Sequence, residues 1–347
     1  MNRTLRSAAD LAEAGLLSGP EAEALHDVLA RYAVSVTPDM AELIDRDDPA
    51  DPIARQFVPR AEEAVAAPEE RADPIGDEAH APVVGIVHRY PDRVLLKPLH
   101  ICPVYCRFCF RREMVGPDGL GSLTDAELDA ALAYIAQDPR IWEVVVTGGD
   151  PFALSPRRLG AIADRLSAIA HVRVMRIHTR VPVVKPDLVG DDLVRSLKRF
   201  GRAVFVALHA NHPREFTPAA QEACARLVDA GIPMVSQSVL LRGVNDDPAT
   251  LEALMRTFVE NRIKPYYLHH GDLAPGTGHL RTSLDAGQVL MRALRGRLSG
   301  LAQPTYVLDI PGGHGKVPVG PGYLREAGDG TRVTDPNGCE HAYPPKV

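Results

Sequence analysis

At 347 residues and 37.6 kDa the chain is long enough for one large or two medium domains and for a sizeable buried core. With 45% hydrophobic and 24% charged residues and a mean hydropathy of −0.10, it has the profile of a soluble globular protein, which excludes general disorder. Its 39 Lys+Arg against 45 Asp+Glu leave a net charge of −6, so the global basic field of a nucleic-acid binder is missing. No apolar run approaches the ~20 residues that cross a bilayer. The expectation is a cytoplasmic protein with neither nucleic acid nor membrane as partner.

In chain order, residues 1 to about 50 read as helical, with Ala22, Leu25, Val28 and Leu29 at helical spacing between Pro20 and Tyr32. From Asp48 to Val84 the text is rich in Pro, Ala, Asp and Glu, and Pro49, Pro52, Pro59, Pro68, Pro74 and Pro82 block any long helix. An irregular wrapping segment with mobile parts is expected there. Apolar and β-branched runs follow at Val94–Leu96, Glu143–Thr147, Val172–Ile177, Ala203–Leu208, Met234–Leu241 and Lys264–His269. Amphipathic stretches alternate with them at Asp125–Gln137, Pro156–Ile169, Asp191–Phe200, Pro218–Ala230, Pro248–Asn261 and Asp285–Leu298. A strand-helix unit every ~30 residues implies parallel strands joined by right-handed crossovers. Six such units predict a partial or full α/β barrel, with its chemistry at the C-terminal ends of the strands. A last strand, Tyr306–Asp309, runs into a Gly-rich loop, and the tail from Glu326 is polar. Three segments are therefore expected: a helical and wrapping preface over 1–84, the barrel core over 85–300, and a C-terminal segment over 301–347.

Three of the five cysteines, Cys102, Cys106 and Cys109, fall within eight positions directly after the first strand. This C-x3-C-x2-C spacing is a ligand pattern rather than a disulfide framework. Three thiolates on one short loop can cap three irons of a cubane cluster. A zinc knuckle completed by His100 or by a distant residue is the other reading, since zinc wants a fourth ligand. Thr147-Gly148-Gly149-Asp150, after the second strand, reads alone as a turn; beside the cysteines, its glycines would let backbone approach a cofactor without a Cβ in the way. The segment Asp309-Ile310-Pro311-Gly312-Gly313-His314-Gly315-Lys316 fails as a phosphate loop, because Ile310 stands where a glycine is required and Val317-Pro318 follow the lysine. A lysine on a flexible Gly-rich loop after a strand can instead reach a carbonyl and form a Schiff base.

The cysteine spacing, with an aromatic before the third cysteine at the end of the first strand of a βα-repeat chain, resembles the radical S-adenosylmethionine superfamily. Together with the lysine loop it resembles one subgroup, the lysine 2,3-aminomutases. That resemblance extends through the Leu11-to-Tyr32 helices, Asp51-Pro52-Ile53-Ala54-Arg55-Gln56, His88-Arg89-Tyr90-Pro91-Asp92-Arg93, Gln237 to Asp246 and Pro265-Tyr266-Tyr267. It implies a TIM-like radical barrel with an N-terminal helical extension and a C-terminal segment that binds pyridoxal phosphate. It further implies a [4Fe–4S] cluster on Cys102, Cys106 and Cys109, open at its fourth iron to S-adenosylmethionine. Gly148, Gly149, Asp150, His209 and Gln237 would contact that cofactor. Lys316 would hold pyridoxal phosphate as a Schiff base, with Arg89, Tyr90 and Arg93 lining it and the arginines supplying charge and fork geometry for its phosphate.

For substrate, the resemblance implies Asp272 and Asp309 on a distal ammonium and Arg111 on an α-carboxylate, so that L-lysine is expected to be interconverted with β-lysine. The same chemistry on arginine, or on lysine destined for elongation factor P, is the alternative; outside enzymes, the alternative is a zinc-binding structural protein. A low-potential donor such as flavodoxin or ferredoxin and a homodimeric or higher assembly belong to the same expectation. One departure concerns a zinc site that longer family members complete with a cysteine after the Val-Asn-Asp segment. Asp247 stands there, and the site is expected to be absent.

Overall fold

The computed structural model describes residues 3–115, 121–328 and 330–345. Nine strands form one sheet in simple sequential order: β1 (Ile86–Tyr90), β2 (Arg93–Leu99), β3 (Glu143–Gly148), β4 (Val174–Thr179), β5 (Ala203–His209), β6 (Met234–Val239), β7 (Ile263–His269), β8 (Thr305–Ile310) and β9 (Gly315–Pro318). Strands β2 to β8 run parallel, whereas β1 and β9 pair antiparallel with β2 and β8 at the two ends. The rhythm of apolar runs is thereby accounted for: strands covered by helices on one side and filling a barrel on the other become nearly continuous Val, Ile and Leu, as in the fully buried Val144–Val146.

Six helices make the crossovers: Asp125–Gln137, Pro156–Ser167, Asp191–Lys198, Pro218–Asp229, Pro248–Glu260 and Leu284–Leu294. Five of them start on a side-chain cap, from Thr124, Ser155, Thr217, Asp247 and Ser283, and each cap contributes about 1 kcal/mol. Asp247, at the position expected to have lost a zinc ligand, accepts from the Ala249 and Thr250 amides as one of these caps. The inner stripes, such as Leu128, Ala131, Leu132 and Ile135 of the first crossover, pack on the strands.

The sequence missed β1, β9 and a small antiparallel sheet in the tail, β10 (Leu324–Ala327), β11 (Gly330–Thr334) and β12 (Glu340–Tyr343). It also placed Lys316 on a flexible loop; the lysine stands on β9, paired with Asp309 of β8. No backbone ladder joins β1 to β9 among the described residues, and side chains bridge that seam. The Lys316 amide donates to the Tyr90 hydroxyl at 2.8 Å, Arg89 faces Asp309 at 3.7 Å, and His80 Nε2 donates to the Gly313 carbonyl at 3.0 Å.

Preceding the barrel, the expected helix over Pro20–Tyr32 is two short helices, Gly19–Ala24 and His26–Arg31, meeting at Leu25. The Pro-rich stretch after it, expected to be partly mobile, is pinned by buried polar anchors. Asp51 pairs with Arg214 at 2.6 Å, Asp77 receives Arg89 and Arg111, and the fully buried Glu63 receives both Arg107 and Arg112. A buried carboxylate with two guanidinium partners holds its segment firmly, because removing one partner leaves an uncompensated buried charge. Among the described residues no helix is long and apolar enough to cross a membrane.

Candidate active site

Chemistry-bearing side chains collect where the parallel strands end, as a barrel dictates. The cysteine loop leaves β2 at Leu99. Its backbone lies against the β3 end, where the Gly149 amide donates to the Leu99 carbonyl at 2.7 Å and the Asp150 amide to Ile101 at 3.0 Å. The structure supplies a packing reason for the glycines as well. A Cβ on Gly148, which has φ of +107°, would lie 2.5 Å from the Leu99 carbonyl oxygen, and one on Gly149 would strike the Ile101 backbone. Both are glycine so that the cysteine loop can pass, whatever else approaches them. Asp150 likewise turns inward: its carboxylate accepts from Thr179 Oγ1 (2.6 Å), the Arg180 amide (2.7 Å) and the Phe152 amide (3.0 Å). It ties β3 to β4 rather than presenting a free oxygen to a ligand.

Cys102, Cys106 and Cys109 are free thiols, partly buried. Burial pushes all three upward in pKa, Cys109 to about 11; neighbouring thiols add to the effect at Cys102 and Cys109, while at Cys106 the Arg180 guanidinium opposes it. Among the described residues only Cys106 has a cationic side chain on its sulfur, Arg180 Nη1 at 2.9 Å. Among the described residues no three His, Cys, Asp or Glu side chains are gathered tightly enough to hold a single metal ion. Opposite the loop, Phe108 stacks on His209 with ring centroids 5.4 Å apart, and Gln237 Nε2 donates to His269 Nε2 at 3.2 Å. Among the described residues, the buried His209 Nε2, Gln237 Oε1 and His178 Nε2 have no hydrogen-bond partner. Unmatched buried polar atoms are uncommon in native structures, and these three suit a polar cofactor lying across the strand ends.

Lys316 completes the other side. Its Nζ lies 3.0 Å from Asp309 Oδ2 and 3.3 Å from His269 Nδ1, and 5.2 Å from the centre of the Tyr267 ring. Burial opposes the charge of Asp309, but the His269 contact and Lys316 outweigh it and hold the carboxyl well below the usual range. Burial and Lys316 in turn push His269 down to about 4, so it is neutral at physiological pH. Asp272 is different: burial and the neighbouring Asp309 push it up to about 7, and among the described residues no cation is ion-paired with it. Arg111 donates Nε and Nη2 to Asp77, and among the described residues its Nη1 makes no hydrogen bond. Arg89 is engaged by Asp77, by the Ile75 carbonyl and by Asp309. Arg93, ion-paired among the described residues with its neighbour Asp92 alone and 3.9 Å above the Tyr90 ring, is the more available arginine for a phosphate.

The structure thus brings Lys316, Asp309, Asp272, Arg89, Tyr90 and Arg111 to one side and the cysteines with His209 to the other, with Gln237 linked through His269 to Lys316. Sequence reasoning missed Asp77, Arg180, His178, Tyr267 and His269. The strand-end run Tyr266-Tyr267-Leu268-His269-His270 was a signal for Tyr267 and His269.

A sequential parallel barrel with three thiols on the loop after its first parallel strand, and unpartnered polar atoms across the strand ends, defines the radical S-adenosylmethionine class; residues 96–254 match the Radical SAM superfamily. Residues 291–335, which hold the strand of Lys316, match the family described as Lysine-2,3-aminomutase. The chain belongs to the lysine 2,3-aminomutase family: it is 39% identical to the L-lysine 2,3-aminomutase of Fusobacterium nucleatum, over 92% of this chain and 75% of that one. It is 40% identical to the L-lysine 2,3-aminomutase of Clostridium subterminale, over 89% and 74%. It is 36% identical to the glutamate 2,3-aminomutase of Clostridioides difficile, over 90% and 73%. Membership makes the chain an isomerase that uses a [4Fe–4S] cluster, S-adenosylmethionine and pyridoxal phosphate, and sets aside the zinc-scaffold alternative. The residues present fit those groups: three unpaired thiols beside a guanidinium, unmatched polar atoms at the strand ends, and an amine held at the barrel seam.

Proposed function

We propose that the chain interconverts L-lysine and β-lysine. Relatives act on lysine and on glutamate, so the family alone leaves the substrate open, and the reading rests on the charge balance of the pocket. The observation that carries it is Asp272, an acidic group beside a second carboxylate and without an ion-pair partner among the described residues. A substrate ammonium would satisfy both carboxylates, whereas the side-chain carboxylate of glutamate would be a third negative group there.

The bound cofactors supply the radical that removes hydrogen and the conjugated ring that carries the migrating amino group. The chain's own residues then have distinct tasks. Cys102, Cys106 and Cys109 hold the cluster, and His209 and Gln237 offer their unmatched buried atoms to S-adenosylmethionine. Lys316 is the amine that anchors pyridoxal phosphate, and Asp309 at 3.0 Å keeps it oriented before loading. Arg93 and Tyr90 line the cofactor, and Arg111, with Asp77 fixing two of its nitrogens, turns Nη1 to the substrate carboxylate. Asp272 holds the distal ammonium.

Free thiols suit a reducing, cytoplasmic setting with a flavodoxin- or ferredoxin-like electron donor. Exposed Leu324 and Tyr343 on the tail sheet favour a homodimer or higher assembly. Anaerobic incubation of iron-reconstituted enzyme with S-adenosylmethionine, pyridoxal phosphate and reductant, offering lysine, arginine, glutamate and alanine separately, tests the substrate by mass spectrometry. β-Lysine as the sole β-amino acid is expected. A β-amino acid from glutamate or arginine in place of lysine would overturn the assignment.

A further inference from the structure

Arg180 follows β4, is 5% exposed, and no part of the proposed reaction uses it. Its guanidinium lies 4.5 Å from the centre of the Phe57 ring and 5.4 Å from that of Phe108. Nη1 donates to Cys106 Sγ at 2.9 Å, while Nη2 donates to Gln56 Oε1 at 2.6 Å and to Glu215 Oε2 at 2.8 Å. The supporting groups are themselves fixed. Gln56, Glu215 and Asn211 are fully buried; Glu215 Oε1 accepts from the Asn211 and His212 amides, and Gln56 Oε1 also accepts from Asn211 Nδ2. Asn211 reaches on to the Val239 amide and its carbonyl to Asn245 Nδ2, so both the Asp51-to-Gln56 and the Gln237-to-Asp246 segments end in this one network. A surface ion pair needs no such apparatus. The network aims one cationic N–H donor at one cysteine sulfur and prevents it from swinging away.

From this we infer that Arg180 is a positioning residue that sets the reduction potential of the cluster, favouring its reduced state through the hydrogen bond and charge delivered to Cys106. A cluster that accepts one electron from a low-potential flavoprotein or ferredoxin gains one negative charge, with no proton moved and no bond broken. A cation and an N–H donor on a ligand sulfur stabilise that more negative state and raise the potential. The inference rests on Cys102, Cys106 and Cys109 being the ligands.

Two variants test it, with an EPR-monitored redox titration of the iron-reconstituted full chain as the readout. Arg180→Lys keeps the charge opposite Glu215 but loses the planar fork. Arg180→Gln with Glu215→Gln removes both charges, so no buried carboxylate is left unpaired. Both are expected to bind as much iron and sulfide as the parent, with unchanged far-UV circular dichroism. The reduced-cluster signal should appear at more negative potential, with the larger shift in the double variant. Parent-like potentials at full iron content would overturn the inference, as would loss of iron or of fold in both variants, which would make Arg180 a structural support. If the parent itself binds no iron, the ligand assignment fails instead, and iron and sulfide content reads that separately.

Discussion

Replacing Asp272 with asparagine should move activity and stability in opposite directions. Burial first, and then Asp309, raise this carboxyl from an ordinary 3.8 to about 7, with Lys316 and Arg111 offsetting part of the rise. Below pH 4 the group is protonated in folded and unfolded chains alike and costs nothing. Between pH 4 and 7 the unfolded chain ionises while the folded one keeps its proton, so stability falls as pH rises; above 7 the loss is complete. At 1.36 kcal/mol per unit the displacement corresponds to about 4 kcal/mol, and partial exposure to water reduces this to about 2–4 kcal/mol. An amide at this position carries no charge, so the cofactor-free Asp272→Asn variant should melt several degrees higher than the parent at pH 8, with a gap less than half as large at pH 5. Activity should go the other way, because a charge-assisted hydrogen bond to the substrate ammonium is lost. At roughly 1.5–3 kcal/mol this predicts kcat/KM for lysine down by about 10- to 150-fold. Thermal denaturation at the two pH values and anaerobic kinetics on the reconstituted enzyme check both halves. A variant no more stable than the parent at pH 8, a gap independent of pH, or unchanged kcat/KM would refute the reasoning.

Lys316→Ala should leave no borohydride-reducible pyridoxal phosphate on the peptide spanning residue 316, while iron content stays at the parent level; peptide mapping after reduction reads this directly. Gly149→Ala, whose methyl would strike the Ile101 backbone, should displace the cysteine loop, and iron per chain is expected to fall while the barrel's far-UV spectrum persists. Glu63→Gln leaves Arg107 and Arg112 buried without their counter-charge and should cost about 3–5 kcal/mol by chemical denaturation. Limited proteolysis should then cut first within residues 48–84.

The barrel was legible because its signal is periodic and local: Val144–Val146 and the helix after Thr124 announce themselves within a few residues. The cysteine loop and the lysine were legible as chemistry, by type and spacing. Contacts between distant residues were not. The wrapping segment reads as mobile because Pro, Ala and charge are what disorder looks like in composition. Yet Glu63 meets Arg107 44 positions away, and Gln56 meets Glu215 159 positions away. Strand β1 was hidden because Ile86–Tyr90 carries His88, Arg89 and Tyr90, a poor apolar run in which His88 bonds Tyr134 of the first crossover helix while Arg89 and Tyr90 reach Asp309 and Lys316. Arg180 was invisible for the same reason that makes it interesting: a lone arginine after a strand has no pattern, and only its three-dimensional neighbours give it a task.

The seam between the first and last strands has a consequence for biosynthesis. The barrel is a row of staves laid down in order, and the final stave carries Lys316, the amine proposed as the cofactor's anchor. Tyr90, made early, must wait for an amide made 226 residues later before the ring can close. On that assignment, a nascent chain that has not reached Lys316 has neither the Tyr90 contact across the seam nor a place to attach pyridoxal phosphate. Closure and loading competence would then arrive together, and cofactor occupancy would report that the wall has been finished.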